Sequence, residues 1–134
     1  MLKAVPRHMD SLALLVDLVR EFLGNGPGSE QMAFDLDLVI EELFTNIVRH
    51  GRGSGSVEVE LSPASEEGVR LVLRADEPVA HDPTAAPEVD TNMPVEARRA
   101  GGLGVHFVRE LSREFRYEWS DGVATTTVVV GAKS

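Results

Sequence analysis

Two closely spaced pairs of alternating segments constrain the fold of this chain more than any other sequence feature. Apolar and polar residues alternate over residues 56–62 and again over 69–75, which predicts two half-buried strands joined by a short turn. The pattern returns over residues 115–120 and 123–130, on either side of Asp121-Gly122, a dipeptide typical of tight hairpin turns. Strands joined by such short connections pair antiparallel, so we expect a largely antiparallel sheet.

Helical spacing of apolar residues predicts three helices around these hairpins. The first covers residues 11–23, the second runs from about 29 to 50, and the third begins at the glycine-rich segment 101–104. Helices that cover one face of a mostly antiparallel sheet give an α+β two-layer sandwich, which is the predicted fold class. At 134 residues the chain is expected to form a single domain, residues 1–134.

The charge and composition of the chain exclude several classes of function. Acidic residues outnumber basic residues 22 to 13, a net charge of −9, whereas a domain that binds nucleic acid or anionic lipid through its overall field is basic. With no cysteine, the chain has neither disulfides nor thiolate metal sites. No apolar run is long enough to span a membrane, and the first residues do not resemble a signal peptide. We therefore expect a cytoplasmic protein with neither nucleic-acid nor membrane partners.

The second predicted helix carries polar residues at the border of its apolar face. Glu42, Asn46 and His50 follow one another at intervals of one helical turn, along the edge expected to meet the core. A buried carboxylate or carboxamide needs a partner, because burial without one is costly. These residues either hydrogen-bond one another and the nearby backbone, or they serve chemistry. In the second case Asn46 is a neutral oxygen ligand for Mg²⁺, and Glu42 is a carboxylate for proton transfer.

A glycine-rich segment, Gly101-Gly102-Leu103-Gly104, stands where the third helix is predicted to begin. The backbone N–H groups and the positive dipole end of a helix start bind phosphates, even in an acidic protein. A dinucleotide-binding fingerprint needs a strand directly before its glycines, and here a long proline-containing loop precedes them. Residues 99–104 also fit R-x-x-G-x-G, which resembles the pyrophosphate loop of acetyl-CoA-dependent N-acetyltransferases. That activity stays open as an alternative.

Several motifs, in their order along the chain, resemble one superfamily. Glu42-Leu43-Phe44-Thr45-Asn46 resembles the N-box of the GHKL superfamily, and Asp76-Glu77-Pro78 resembles its D-x-G box. The segment 101–104 resembles its second glycine box, and Thr125-Thr126-Thr127-Val128 its threonine-bearing last strand. The short length of the chain and the segment Asp82-Pro83-Thr84 favour one family within this superfamily. The chain is similar to the anti-sigma-factor serine/threonine kinases of that superfamily.

The resemblance implies a Bergerat-type ATP-binding fold. ATP and Mg²⁺ are then held between the second helix, the sheet and a lid over about residues 77–101. By the same resemblance Asn46 binds Mg²⁺, and Glu42 is the general base that takes the proton of the substrate hydroxyl. Asp76 is expected to accept the adenine amino group, with Thr126 close to it. The groups expected at the phosphates are Gly102, Leu103, Gly104 and Arg99.

The resemblance also implies protein partners. The family's substrate is a STAS-domain anti-sigma-factor antagonist, phosphorylated on a serine or threonine, and its second partner is a sigma factor or another switch target. A homodimer through the first helix and the neighbouring sheet edge fits the same resemblance. Pro78 is a departure, because it stands where the D-x-G box has glycine, removes an N–H donor and restricts the backbone. A non-catalytic partner-binding module on the same fold is therefore the alternative function.

Overall fold

Five antiparallel strands form one layer of the computed structural model, which describes residues 1–80, 82, 84 and 103–131. The strands are β1 (Leu2–Pro6), β2 (Ser56–Pro63), β3 (Val69–Asp76), β4 (Ser112–Ser120) and β5 (Val123–Val130). The α-helices of the described residues form the second layer and are α1 (Leu12–Leu23), α2 (Ser29–His50) and α3 (Leu103–Leu111). In these described ranges, no helix combines the length and the apolar character that a membrane crossing requires.

The strands lie in the order β1-β2-β3-β5-β4, and each neighbouring pair is antiparallel. The predicted hairpins β2–β3 and β4–β5 are confirmed, and they join in the sheet where β3 pairs with β5. Strand β1 pairs with β2 in a register that places Val5 opposite Val57. Periodicity does not predict β1, because Val5 is the one buried residue of its five. The predicted α+β fold with an antiparallel sheet is confirmed.

The hydrophobic core lies between the helices and one face of the sheet. Successive side chains of a strand alternate between its two faces, so the inward residues of β3 are two apart. They are Val69, Leu71, Leu73 and Ala75. Helix α2 packs on the core with one apolar stripe, as its helical spacing predicts. The buried members of that stripe are Ala33, Leu36, Val39, Ile40, Leu43 and Phe44.

The segment that follows α2 passes close to the end of β3. A Cβ atom on Gly53 would overlap the carbonyl group of Asp76, so a side chain does not fit at this position. Gly51 ends α2, and its N–H donates to the Ile47 carbonyl at 3.1 Å. Glycine is needed at Gly53 for the close approach of two backbone segments.

Alanine at Gly53 tests this close approach. We expect Gly53→Ala to lower the free energy of unfolding by about 1–3 kcal/mol, because the new Cβ forces the backbone away from the Asp76 carbonyl. Gly26→Ala is the matched control, since no atom lies within 4 Å of a Cβ there. Its free energy of unfolding should change by less than about 1 kcal/mol. Urea denaturation measures both variants, and equal stability of the two would contradict the described packing.

Candidate functional site

A small cavity separates the C-terminal half of α2 from the ends of β3, β4 and β5. Its volume is about 30 Å³, which leaves room for about two water molecules. Apolar residues of α2 and of the sheet form part of its wall. Four polar residues also line it: Asn46, Glu77, Tyr117 and Thr126. A lining of apolar residues with a few polar ones is typical of ligand sites, and the predicted residues Asn46 and Thr126 belong to it, so this cavity marks the candidate site.

Helix α2 places two of the predicted residues together. Asn46 lines the cavity, and Glu42 lies one turn before it, with both residues half-buried. Burial raises the pKa of Glu42 above its ordinary value, and the neighbouring charge of Glu41 raises it further. A carboxylate with a raised pKa is well suited to accept a proton in catalysis. His50, the third member of the predicted polar column, is exposed at the end of α2.

The alternation of side chains along β3 places Asp76 on the face of the sheet opposite the cavity. Ala75 is buried and lines the cavity, so the next residue, Asp76, lies on the opposite face of the sheet, where it is exposed. Glu77 returns to the inner face, lines the cavity and is only 6% exposed. The structure therefore brings Glu77 into the candidate site, and it does not bring Asp76 there.

A buried ion pair holds the Glu77 side chain. The Arg7 and Glu77 side chains are 8% and 7% exposed, and Arg7 Nη2 donates to Glu77 Oε1. The second carboxylate oxygen, Oε2, accepts the backbone N–H of Arg52 at 2.9 Å. Arg7 also donates to two backbone carbonyls, that of Asp76 at 2.8 Å and that of Ile47 at 3.3 Å. One side chain thus joins the segment after β1 to the ends of α2 and β3.

The β4–β5 hairpin holds the backbone of Glu77. The Glu77 N–H donates to the Gly122 carbonyl at 2.8 Å, and the Glu77 carbonyl accepts the indole N–H of Trp119 at 2.9 Å. The backbone groups and the carboxylate of Glu77 are therefore all hydrogen-bonded. Such a connected polar network restrains a buried residue to one position.

The other predicted residues divide between the cavity, the start of α3 and the part of the chain not described. Thr126 of β5 lines the cavity, where the strand register places it beside Tyr117 of β4. Helix α3 begins at Leu103, followed by Gly104, in agreement with the predicted helix start. Three predicted features lie outside the described residues: Gly102, Arg99 and most of the lid over about residues 77–101.

The sequence motifs assign no role to three polar residues that the structure places at or beside the site: Glu77, Tyr117 and Arg7. The signal for Glu77 is the alternation of β3, since Val69, Leu71 and Leu73 face inward and the same period of two reaches residue 77. No local pattern marks Arg7, because its ion-pair partner is 70 residues away in the chain.

A comparison with the sequence models of known protein families identifies the family to which this fold belongs. The chain matches the model of the histidine kinase-like ATPase domain over residues 5–130, and it belongs to that family. The resemblance to the GHKL superfamily, predicted from the motifs, is confirmed. No curated protein matches the chain significantly.

Similar solved structures support the fold. A chain of the SiaB-SiaC complex from Pseudomonas aeruginosa is 18% identical, with a TM-score of 0.59, and the match covers 97% of this chain and 88% of that one. The blue-light activated histidine kinase of Erythrobacter litoralis EL346 is 19% identical, with a TM-score of 0.51 and 94% of this chain covered. This chain spans 42% of that kinase and 61% of the solved structure of its histidine kinase domain. At these identities the likeness shows the fold alone.

Breaking the buried ion pair tests its contribution to stability. We expect Arg7→Met and Glu77→Gln each to lower the free energy of unfolding by about 3 kcal/mol, because each leaves a buried partner without its counterpart. The double variant should lose less than the sum of the two losses. Arg74→Met is the matched control, since its ion pair with Glu60 joins side chains that are both 37% exposed. Its loss should be below about 1 kcal/mol. Urea denaturation measures all four variants, and additive losses would contradict the coupling.

Proposed function

We propose that this chain is a cytoplasmic ATP-dependent protein kinase. Its substrate in this proposal is a serine or threonine of a STAS-domain anti-sigma-factor antagonist, and it also sequesters a sigma factor or another switch target. One observation carries the proposal: in a histidine kinase-like ATPase domain, Asn46 and Thr126 line one cavity, and Glu42 lies one turn from Asn46. The resemblance assigns these three residues to Mg²⁺, ATP and proton transfer.

The donor chemistry at Asn46 fits Mg²⁺. This ion keeps several of its waters and takes one or two protein oxygens beside substrate phosphates, so one carboxamide oxygen together with ATP is sufficient. Asn46 is half-buried at the cavity and is the residue proposed to hold the ion. When bound, Mg²⁺ supplies positive charge that offsets the charge of the transferring phosphoryl group.

The start of α3 is the proposed phosphate site. The helix begins at Leu103, and the N–H groups of its first turn have no partner within the helix. Together with Gly102, Gly104 and Arg99, they supply donors and positive charge for a triphosphate. This local field acts at contact distance, so a net charge of −9 does not oppose phosphate binding there.

Glu77 and Asp76 are rivals for the contact to adenine. The motif assigns the contact to Asp76, whereas Glu77 is the acidic residue that lines the cavity. We assign the contact to Glu77, because a carboxylate oxygen at the cavity accepts a hydrogen bond from the 6-amino group. The Thr126 hydroxyl lines the same cavity and both donates and accepts.

Glu42 is the proposed general base. The substrate hydroxyl attacks the γ-phosphorus, its proton passes to the Glu42 carboxylate, and the bond to the bridging oxygen breaks to release ADP. The raised pKa of Glu42 makes it a stronger base than a free glutamate.

A protein partner is supported by the resemblance to anti-sigma-factor kinases and by the likeness to a chain of the SiaB-SiaC complex. A homodimer belongs to the same proposal, since β1 is an edge strand that pairs only with β2 among the described residues. The acetyl-CoA alternative has no support from the family, which is an ATPase family.

Removing the general base tests the chemistry. We expect Glu42→Gln to bind ATP normally and to lose phosphoryl transfer by about 10²–10⁴-fold. In the unchanged protein, activity should fall as the pH decreases, because only the deprotonated carboxylate accepts the proton. The apparent pKa should lie above that of a free glutamate, because burial and the charge of Glu41 both raise it. Radiolabelled ATP and a purified STAS-domain protein provide the assay.

Glu41→Gln is the matched control for that assay. It should retain activity and extend it to lower pH, because the charge of Glu41 raises the pKa of Glu42. Full activity of Glu42→Gln would exclude Glu42 as the general base.

Calorimetric titration of ATP distinguishes the kinase from the partner-binding module. We expect binding that requires Mg²⁺ and that Asn46→Ala weakens by about tenfold or more, since the variant loses a ligand oxygen. Asn25→Ala, in the exposed turn before α2, should bind like the unchanged protein. No binding at millimolar ATP would instead favour the non-catalytic module that Pro78 suggests.

A further inference from the structure

Arg7 lies outside every predicted motif, yet its guanidinium joins three segments at the candidate site. Its Nη1 donates to the Asp76 carbonyl at the end of β3, and its Nη2 donates to the Ile47 carbonyl in the last turn of α2. The same Nη2 donates to Glu77 Oε1. Because Ile47 directly follows Asn46, this one side chain fixes the helix end of the cavity relative to its sheet end.

The backbone at Gly51 packs directly against the ion pair. A Cβ atom on Gly51 would meet Arg7 Nη2, Glu77 Oε1 and the Ile47 carbonyl oxygen at once. These polar atoms therefore occupy the space that a side chain at position 51 would need. A planar guanidinium with several partners in fixed directions holds a carboxylate in one orientation, which a flexible ammonium does not.

The Glu77 carboxylate keeps acceptor capacity for a ligand. Each of its oxygens has two lone-pair sites, of which Arg7 takes one at Oε1 and the Arg52 N–H takes one at Oε2. Because Glu77 lines the cavity and its carboxylate is held by Arg7 and Arg52, a donor that reaches the carboxylate meets an acceptor that is already oriented. An amino group on a purine is such a donor, whereas a C–H group at the same position is not.

We propose that Arg7 is a positioning residue for base selection, which orients Glu77 so that its carboxylate accepts the 6-amino group of a purine nucleotide. This inference rests on the proposed binding of ATP and adds the residue that makes Glu77 selective. Arg7 acts through Glu77 and does not itself contact the nucleotide. Without Arg7 the carboxylate is free to turn, and the cavity no longer distinguishes a base with an amino group from one without it.

The test compares ATP with purine riboside 5′-triphosphate, which lacks the 6-amino group, in calorimetric titrations with Mg²⁺. The unchanged protein should prefer ATP by about tenfold or more, the effect of one charge-assisted hydrogen bond. Arg7→Met and Glu77→Leu should bring the ratio of the two affinities close to one, since leucine has no acceptor at this position. Arg7→Lys keeps the charge without the planar fork, and it should give an intermediate ratio. Arg74→Met is the matched control and should keep the full ratio, and Asp76→Asn tests the rival residue for the base contact and should keep it as well.

The ratio separates positioning from stability, because a loss of structure lowers both affinities together. An unchanged ratio in Arg7→Met and Arg7→Lys overturns the inference and leaves the proposed function standing. If Arg7→Met does not fold, the ratio in Arg7→Lys decides alone. A ratio lost in Asp76→Asn overturns the inference by moving the base contact to Asp76. If the unchanged protein binds no ATP, both the inference and the proposed function fail.

Discussion

The buried ion pair between Arg7 and Glu77 connects three separate segments of the chain at the candidate site. Removing two charges from water is costly, and a buried pair is retained where further hydrogen bonds satisfy both groups. Here the Arg52 N–H and the Asp76 carbonyl supply such bonds. The pair and the hydrogen bonds of Arg7 connect the segment after β1 to the ends of α2 and β3, beside the cavity. Apolar packing is non-directional, whereas these hydrogen bonds fix both distance and orientation, so the core stabilises the fold and the ion pair sets the geometry beside the cavity.

The fold could be predicted from the sequence where its signals are local. Each hairpin carries an alternation of period two and a turn within one short segment, and α2 carries its apolar stripe over 22 residues. Strand β1 is different, because a five-residue strand with Val5 as its one buried residue has no visible period. Its place depends on pairing with β2, and the junction of β3 with β5 likewise joins segments that are distant in the chain.

Some residues of the candidate site could likewise be predicted from local patterns, and others could not. Glu42 and Asn46 are one helical turn apart, so the period of α2 alone places them on neighbouring positions of one edge. Asp76 and Glu77 show the opposite case, since a motif is read from residue types, whereas the phase of the strand decides which face a side chain takes. The motif selects Asp76, whereas the alternation of β3 selects Glu77, the next residue. Arg7 lies 70 residues from its partner, and its position depends on the assembled sheet and helix rather than on a local pattern.

The net negative charge of the chain does not prevent binding of the proposed polyanionic ligand, because the position of each charge decides its effect. Exposed charges are screened over a distance of about 10 Å at ordinary salt, whereas the dipoles at a helix start, the proposed phosphate site of α3, act at contact distance. Among the described residues that line the cavity, Glu77 is the one carboxylate, and Arg7 offsets its charge. The proposed base end of the cavity is therefore close to neutral, as the burial of an uncharged purine requires. Glu42, the proposed general base, is half-buried and lies one turn from Asn46, the proposed Mg²⁺ ligand.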